Sequence, residues 1–159
     1  MNSVAKVLST NDVLLDLDVG NKQSMFEAVG RLWAEHHDMV AGEVVDSLNA
    51  REKLGSTGLG QGVAIPHARV KGLTKAVAAF VRPTQPIEFD SPDGELVAYC
   101  FVLLVPTQAT EEHLQILAEV AEMFSNTEFR EQLGTAKSPD QIHQLIILWR
   151  NPISDRVRT

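Results

Sequence analysis

Cysteine is almost missing from this chain. One residue, Cys100, is all that 159 positions hold, which excludes a disulfide framework and any cysteine-based zinc finger. Its neighbours from Val97 to Val105 are apolar, the setting of a buried structural thiol. No apolar run reaches the length of a membrane span. The opening MNSVAKVLSTNDVL lacks the long apolar stretch of a signal peptide, so a cytoplasmic location is expected. Positive charge is also short. The formal net charge is −7, which argues against general affinity for nucleic acid. No cluster of carboxylates marks a metal site, so neither metal nor cofactor is implied. Repeats and low-complexity stretches are absent too. What remains, 44% hydrophobic and 22% charged residues, suits one ordinary domain with a real core.

The most informative stretch is GSTGLGQGVAIPHA, residues 55 to 68. Four glycines and two hydroxyls fall within eight residues, followed by an apolar triplet, a proline and His67. Glycines let a backbone turn tightly and point N–H groups at an anion. Imidazole is a nucleophile that needs no metal. An anion cradle five residues before an imidazole points to phosphoryl transfer through a phosphohistidine. The plainer alternative is a glycine loop before a strand, with His67 merely packed. Charge is uneven around this stretch. Between residues 51 and 75, Arg51, Lys53, Arg69, Lys71 and Lys75 stand against Glu52 alone. That is +4 locally and −11 elsewhere. Such a segment suits a phosphoryl group, although a basic face arises by accident as well.

Other chemistries fail on spacing. A dinucleotide fingerprint needs a third glycine where Val63 stands, and a P-loop needs lysine where Gln61 follows Gly60. Ser56 with His67 lacks the strand–serine–helix elbow of a hydrolase. His36 and His37 are adjacent in a helical stretch and should diverge by about 100°, which excludes a shared metal. His143 has no recognisable partner. His113 falls near position N3 of a helix capped by Thr110, where the dipole disfavours a charged ring. A neutral ring there offers one hydrogen bond to a neighbour; a solvated first-turn residue is the alternative.

Periodicity gives a coarse map. Residues 13–19 alternate as a half-buried strand, and 22–39 carry helical spacing through Met25, Phe26, Val29, Leu32, Trp33 and His36. Val44, Val45, Leu48 and Leu54 predict a second helix stopped by Gly55. Short strands are expected at 62–65, cut off by Pro66, and at 76–82. A turn at SPDG, 91–94, precedes the near-continuous apolar run 96–105, which reads as a central strand covered on both faces. After Pro106, Thr110 caps a helix with Leu114, Leu117, Val120, Ala121 and Phe124 at its apolar positions. A short helix follows over 127–133. Ser138-Pro139-Asp140-Gln141 starts a last helix that runs to about Trp149. Residues 150–159 lack apolar periodicity, and fraying is expected there. Strands mixed with helices make one α/β domain over 1–150, with a tail over 151–159.

The run from Glu52 to Ala68 resembles the active-site signature of type 2 enzyme IIA of the bacterial phosphoenolpyruvate-dependent phosphotransferase system. An acidic residue, six spacers and then L-G-x-x-V-A-I-P-H-A match at Glu52, Leu59, Gly60, Val63, Ala64, Ile65, Pro66, His67 and Ala68. The likeness continues through FDSPDGELV and FVLLVPTQATEEHLQILAEVAEMF and is greatest to the nitrogen-regulatory branch.

That resemblance implies a mixed sheet with helices on both sides. It implies a phosphotransferase in which His67 is the phosphorylated residue, His113 the assisting pocket histidine and Arg51 the nearby arginine. Ser56, Thr57, Gly58 and Gly60 would line the phosphoryl-binding loop. The implied donor is an HPr-like phosphocarrier, NPr in the nitrogen branch. The implied output is signalling by phosphorylation state to regulatory partners such as potassium-transport or sensor-kinase systems. A weak homodimer is compatible with it; membrane insertion is not expected. The alternative is a fructose or mannitol enzyme IIA that passes phosphate to an enzyme IIB. The lack of a fused HPr-like or IIB segment favours regulation, yet free-standing sugar IIA proteins exist. A third reading, a binding module never phosphorylated, is disfavoured by His67, Arg51 and His113 occurring together.

Overall fold

The computed structural model describes residues 2–108 and 110–150; the expectation for a tail over 151–159 lies outside them. After two short 3-10 turns, Ser3–Lys6 and Thr10–Asp12, the chain forms β1 (Val13–Leu17), α1 (Lys22–His36) and α2 (Ala41–Leu54). Then come β2 (Gly58–Gly60), β3 (Val63–Ala64), β4 (His67–Val70), β5 (Val77–Pro83) and β6 (Tyr99–Pro106). Three helices close the fold: α3 (Glu111–Ser125), α4 (Thr127–Thr135) and α5 (Pro139–Ile147). The last helix thus stops two residues short of Trp149. Among the described residues no helix is long and apolar enough to cross a membrane.

The six strands make one mixed sheet in the order β1-β5-β6-β3-β2, with β4 also paired to β6. β6 is its centre. It runs antiparallel to β5 on one side; on the other it is parallel to β3 over its first half and to β4 over its second. Side-chain alternation along β6 divides the core. Cys100, Val102 and Leu104 pack with Met25, Phe26, Trp33 and Leu48 of α1 and α2. Phe101, Leu103 and Val105 pack with Val120, Phe124, Phe129 and Ile142 of the last three helices. Helices on both sides, as expected, are what make the run 96–105 apolar without a break. Burial first, and the carboxylate of Glu52 second, raise the Cys100 thiol above its ordinary value, leaving it protonated and inert.

Capping sets several boundaries. Asn21 and Ser24 form a reciprocal capping box on α1, and the Ser138 hydroxyl accepts from Gln141 N–H at 3.2 Å to start α5. The Arg82 guanidinium closes the C-terminal end of α4 by donating to the carbonyls of Leu133 and Ala136 at 2.9 and 2.7 Å, satisfying acceptors that a helix end leaves open.

Two histidine expectations need correction. His36 and His37 do not diverge. His37 lies one residue beyond α1, at φ −128°, so helical spacing no longer separates it from His36. Both rings donate to Asp12, 1% exposed: His36 Nδ1 at 2.9 Å and His37 Nε2 at 2.6 Å. His143 does have a partner, the Leu8 carbonyl at 3.1 Å, which ties α5 to the N-terminal turn.

The glycine-rich stretch is not an open loop but a β-hairpin. Gln61 and Gly62, with φ of 58° and 82°, form the two-residue turn between antiparallel β2 and β3, as in turns whose twist matches the flanking strands. Asp93 of the SPDG turn clasps its tip, accepting from Gln61 N–H at 2.7 Å and Glu95 N–H at 3.0 Å. Those two bonds, Gln61's first, hold the Asp93 carboxyl below its usual range. Beneath the clasp, Gly58 presses on Ser91. A Cβ at 58 would overlap Ser91 Oγ and lie 3.2 Å from Ser91 Cα. Because the second contact is backbone, a rotamer change alone does not relieve it. Gly58→Ala is therefore expected to destabilise the fold by about 1–3 kcal/mol. Urea unfolding checks this; an unchanged midpoint would show that the turn yields freely.

Candidate active site

Pro66 places His67 at the first position of β4. Proline carries no N–H and pushes Ile65 toward extended backbone, yet its carbonyl still accepts from Leu103 N–H at 2.9 Å. That bond docks the segment on β6. The His67 ring then folds back, and its Nδ1 lies 2.8 Å from the Ile65 carbonyl. A carbonyl only accepts, so Nδ1 carries the proton and donates. In the neutral ring the lone pair is left on Nε2, the nucleophilic nitrogen.

His113 has the complementary arrangement. It sits at N3 of α3, where a Glu or Gln would close a capping box. Here the imidazole does so: Thr110 N–H donates to His113 Nδ1 at 3.0 Å. An N–H only donates, so Nδ1 holds a lone pair and the ring proton is on Nε2. One imidazole therefore presents a nucleophilic Nε2 and the other a donor Nε2–H. Each tautomer is set by a backbone group of its own chain segment.

Both rings line one pocket of about 530 Å³. It opens at the outer edge of β4, between the C-terminal half of α2 and the start of α3. α2 contributes Ser47, Ala50, Arg51 and Leu54, the i, i+3, i+4, i+7 spacing of one helix face. β4 contributes His67, Ala68 and Arg69, β6 Val105, and α3 His113, Leu114 and Leu117. No carboxylate is among them. Arg51 donates to the Gly55 carbonyl at 2.8 Å, which fixes its guanidinium at the C-terminal end of α2.

Two leucines at the apolar positions that mark α2 and α3 in the sequence stand on the pocket. Leu54 is 85% exposed and Leu114 56% exposed. Helical spacing shows that a residue shares an apolar face; it does not show whether protein or solvent covers that face. Arg69 entered the sequence reading only as a charge. Strand alternation is the signal that finds it, since residues 67 and 69 share a face once β4 is known to be a strand.

The structure brings His67, His113 and Arg51 together, but Ser56, Thr57, Gly58 and Gly60 do not line this pocket. Their polar groups are engaged within the hairpin and its surroundings. The Ser56 hydroxyl donates to the Phe89 carbonyl and accepts from Gly58 N–H, the latter at 3.0 Å. Glu52 accepts from both the hydroxyl and the N–H of Thr57, while Lys22 neutralises it at 2.9 Å. Thr57 in turn accepts from Ile65 N–H at 3.0 Å. A continuous line of bonds thus runs from Lys22 through Glu52, Thr57 and Ile65 to the His67 ring.

Comparison with known proteins shows the family. The family profile described as "Phosphoenolpyruvate-dependent sugar phosphotransferase system, EIIA 2" matches residues 6–148. A protein of Pseudomonas aeruginosa called "Nitrogen regulatory protein" is 36% identical over 148 residues, covering 92% of this chain and 96% of its own. The crystal structure of "Nitrogen Regulatory Protein IIA-Ntr" from Neisseria meningitidis superposes with a TM-score of 0.87 at 43% identity, covering 91% of this chain and 99% of the other. A "PTS system fructose-specific EIIA component" of Haloferax volcanii is 34% identical over 64% of this chain and 66% of its own. A profile spanning nearly the whole chain, a relative 36% identical over most of it and a shared mixed-sheet fold agree: this protein belongs to the EIIA type 2 family of the phosphoenolpyruvate-dependent phosphotransferase system.

Proposed function

We propose that this protein is a regulator of a nitrogen-related phosphotransferase system, taking a phosphoryl group onto His67 Nε2 from the phosphohistidine of an HPr-like carrier. NPr would be the donor in the nitrogen branch. The observation that carries the reading is the pair of opposed tautomers in one carboxylate-free pocket: a free lone pair on His67 and a donor on His113. The nitrogen-regulatory names of the Pseudomonas and Neisseria relatives support the branch.

In the transfer, the donor's P–N bond breaks and the His67 Nε2–P bond forms. The donor ring recovers the electron pair, and His67 Nδ1 keeps its own proton, donated in the hydrogen bond to Ile65's carbonyl. Both ends of the reaction are phosphoimidazoles, so little driving force is needed and the site chiefly positions the groups and spreads charge. Arg51 and the His113 Nε2–H are suited to the equatorial oxygens. For Ser56, Thr57, Gly58 and Gly60 the hydrogen bonds favour a role in setting His67 rather than direct contact with phosphate. The exposed leucines at 54 and 114 offer a protein carrier an apolar contact beside the basic pocket. Potassium-transport and sensor-kinase systems are the proposed regulatory targets, in the cytoplasm. The fructose-specific relative supports the second reading, onward transfer to an enzyme IIB.

Three measurements test this. His67→Ala should abolish uptake of acid-labile phosphate from a phosphorylated HPr-type carrier; stoichiometric labelling of the variant would place the acceptor elsewhere. His113→Gln keeps a capping-box residue at N3 but removes the imidazole donor. It should leave the thermal midpoint near wild type while changing transfer or phosphohistidine hydrolysis rates roughly tenfold or more; unaltered rates would return His113 to a purely structural cap. Finally, phosphate adds about two negative charges to the basic part of an acidic chain. Calorimetry on the unmodified and phosphorylated forms should show regulatory-partner affinities differing by one or two factors of ten, each about 1.4 kcal/mol. Equal affinities for every regulatory partner would move weight to the sugar branch.

A further inference from the structure

We propose that Arg69 is a second phosphoryl-holding residue: its guanidinium folds along β4 onto the phosphoryl group carried by His67. The inference rests on the phosphoryl-acceptor reading of His67 and extends it. Four observations lead to it. Arg69 lines the same pocket as His67 and His113. Within β4 the burial alternates, with Ala68 and Val70 buried on one face and Arg69 exposed on the other. The imidazole and the guanidinium therefore rise from the same face, about 7 Å apart at their origins, a gap that an arginine side chain spans by leaning along the strand. Arg69 pairs in register with Val105, itself in the pocket wall.

The fourth observation is the difference between the two pocket arginines. Arg51 is already committed to the Gly55 carbonyl, whereas no hydrogen bond or ion pair engages the Arg69 side chain among the described residues. Glu52, the one acidic residue of the basic segment, is taken by Lys22 and Thr57. Nothing in the pocket wall therefore competes for the Arg69 charge until a dianionic group arrives on Nε2. A planar fork of donors then meets the phosphoryl oxygens in the charge-assisted geometry that lysine reproduces only as a point charge. Arg51 serves as the fixed cation and Arg69 as the one that closes after transfer.

The test uses the full chain as wild type, Arg69→Gln, Arg69→Lys and, as a control for general charge, Lys75→Gln. Lys75 is exposed and outside the pocket. Each protein is brought to equilibrium with a phosphorylated HPr-type carrier, and the phosphorylated form is titrated by phosphorus NMR. Arg69→Gln should lower the equilibrium constant for phosphoryl acceptance on the order of tenfold, equivalent to about 1.4 kcal/mol. It should also raise the pH at which the bound phosphoryl group takes up its proton, because a cation that favoured the dianion is gone. Arg69→Lys should restore part of both effects, and Lys75→Gln should show neither. Arg69→Gln matching wild type in both readouts would overturn the assignment while leaving His67 as acceptor. Lys75→Gln shifting as far as Arg69→Gln would also overturn it, since the effect would then be a diffuse field. Failure of wild type to accept phosphate at all would overturn this inference and the proposed function together.

Discussion

A single hydrogen bond, from His67 Nδ1 to the carbonyl of Ile65 at 2.8 Å, is the constraint around which the site is organised. An imidazole has two nitrogens, and which one is nucleophilic depends on which is protonated. Fixing the proton on Nδ1 turns a common side chain into an aimed nucleophile. The bond requires Ile65 to be extended and its carbonyl free, which Pro66 and the short strand β3 arrange. It also requires Ile65 to be held, which the Thr57 carbonyl does. The hairpin of glycines, the Glu52–Lys22 pair and the clasp by Asp93 all bear on this one orientation.

The sheet explains why the site lies where it does. β6 is covered by helices on both faces, so its own side chains are committed to the core. β4 pairs only with the second half of β6, and its free edge meets the C-terminal half of α2 and the start of α3. Helix termini bring unsatisfied backbone groups and short-range rotational order. The pocket exploits both: Arg51 is pinned to a carbonyl just past α2, and His113 is pinned by an N–H just before α3.

Much of the fold was legible from residues alone. The helix starting at Ser138 was marked by a cap, a proline and a glutamine in the positions helix physics requires. The central strand was marked by an apolar run that only a doubly covered strand needs. Other features depended on distant parts of the chain. Gly58 to Gly60 make a strand because they have β3 to pair with, and three residues carry too little periodicity to show it. β4 was missed for the same reason, and with it the alternation that sets Arg69 beside His67. His36 and His37 converge because the helix ends between them and because Asp12, 24 residues before His36, waits at the core.

By itself the sequence determined the chemical type of the site: an imidazole after an extended Ile-Pro step, a basic surrounding, and a histidine in a helix's first turn. These are local properties, written in neighbouring residues and in helix-cap rules. Only the tertiary structure decided which groups meet. It spent the donors of the glycine stretch on Phe89, Glu52 and Asp93, and brought Arg51 and Arg69 to the pocket in their place. It also turned two leucines of helical register outward to the pocket rim. The physical reason is that backbone and hydroxyl donors satisfy whatever acceptor packing brings nearest, and that neighbour is set by sheet pairing between segments far apart in the chain.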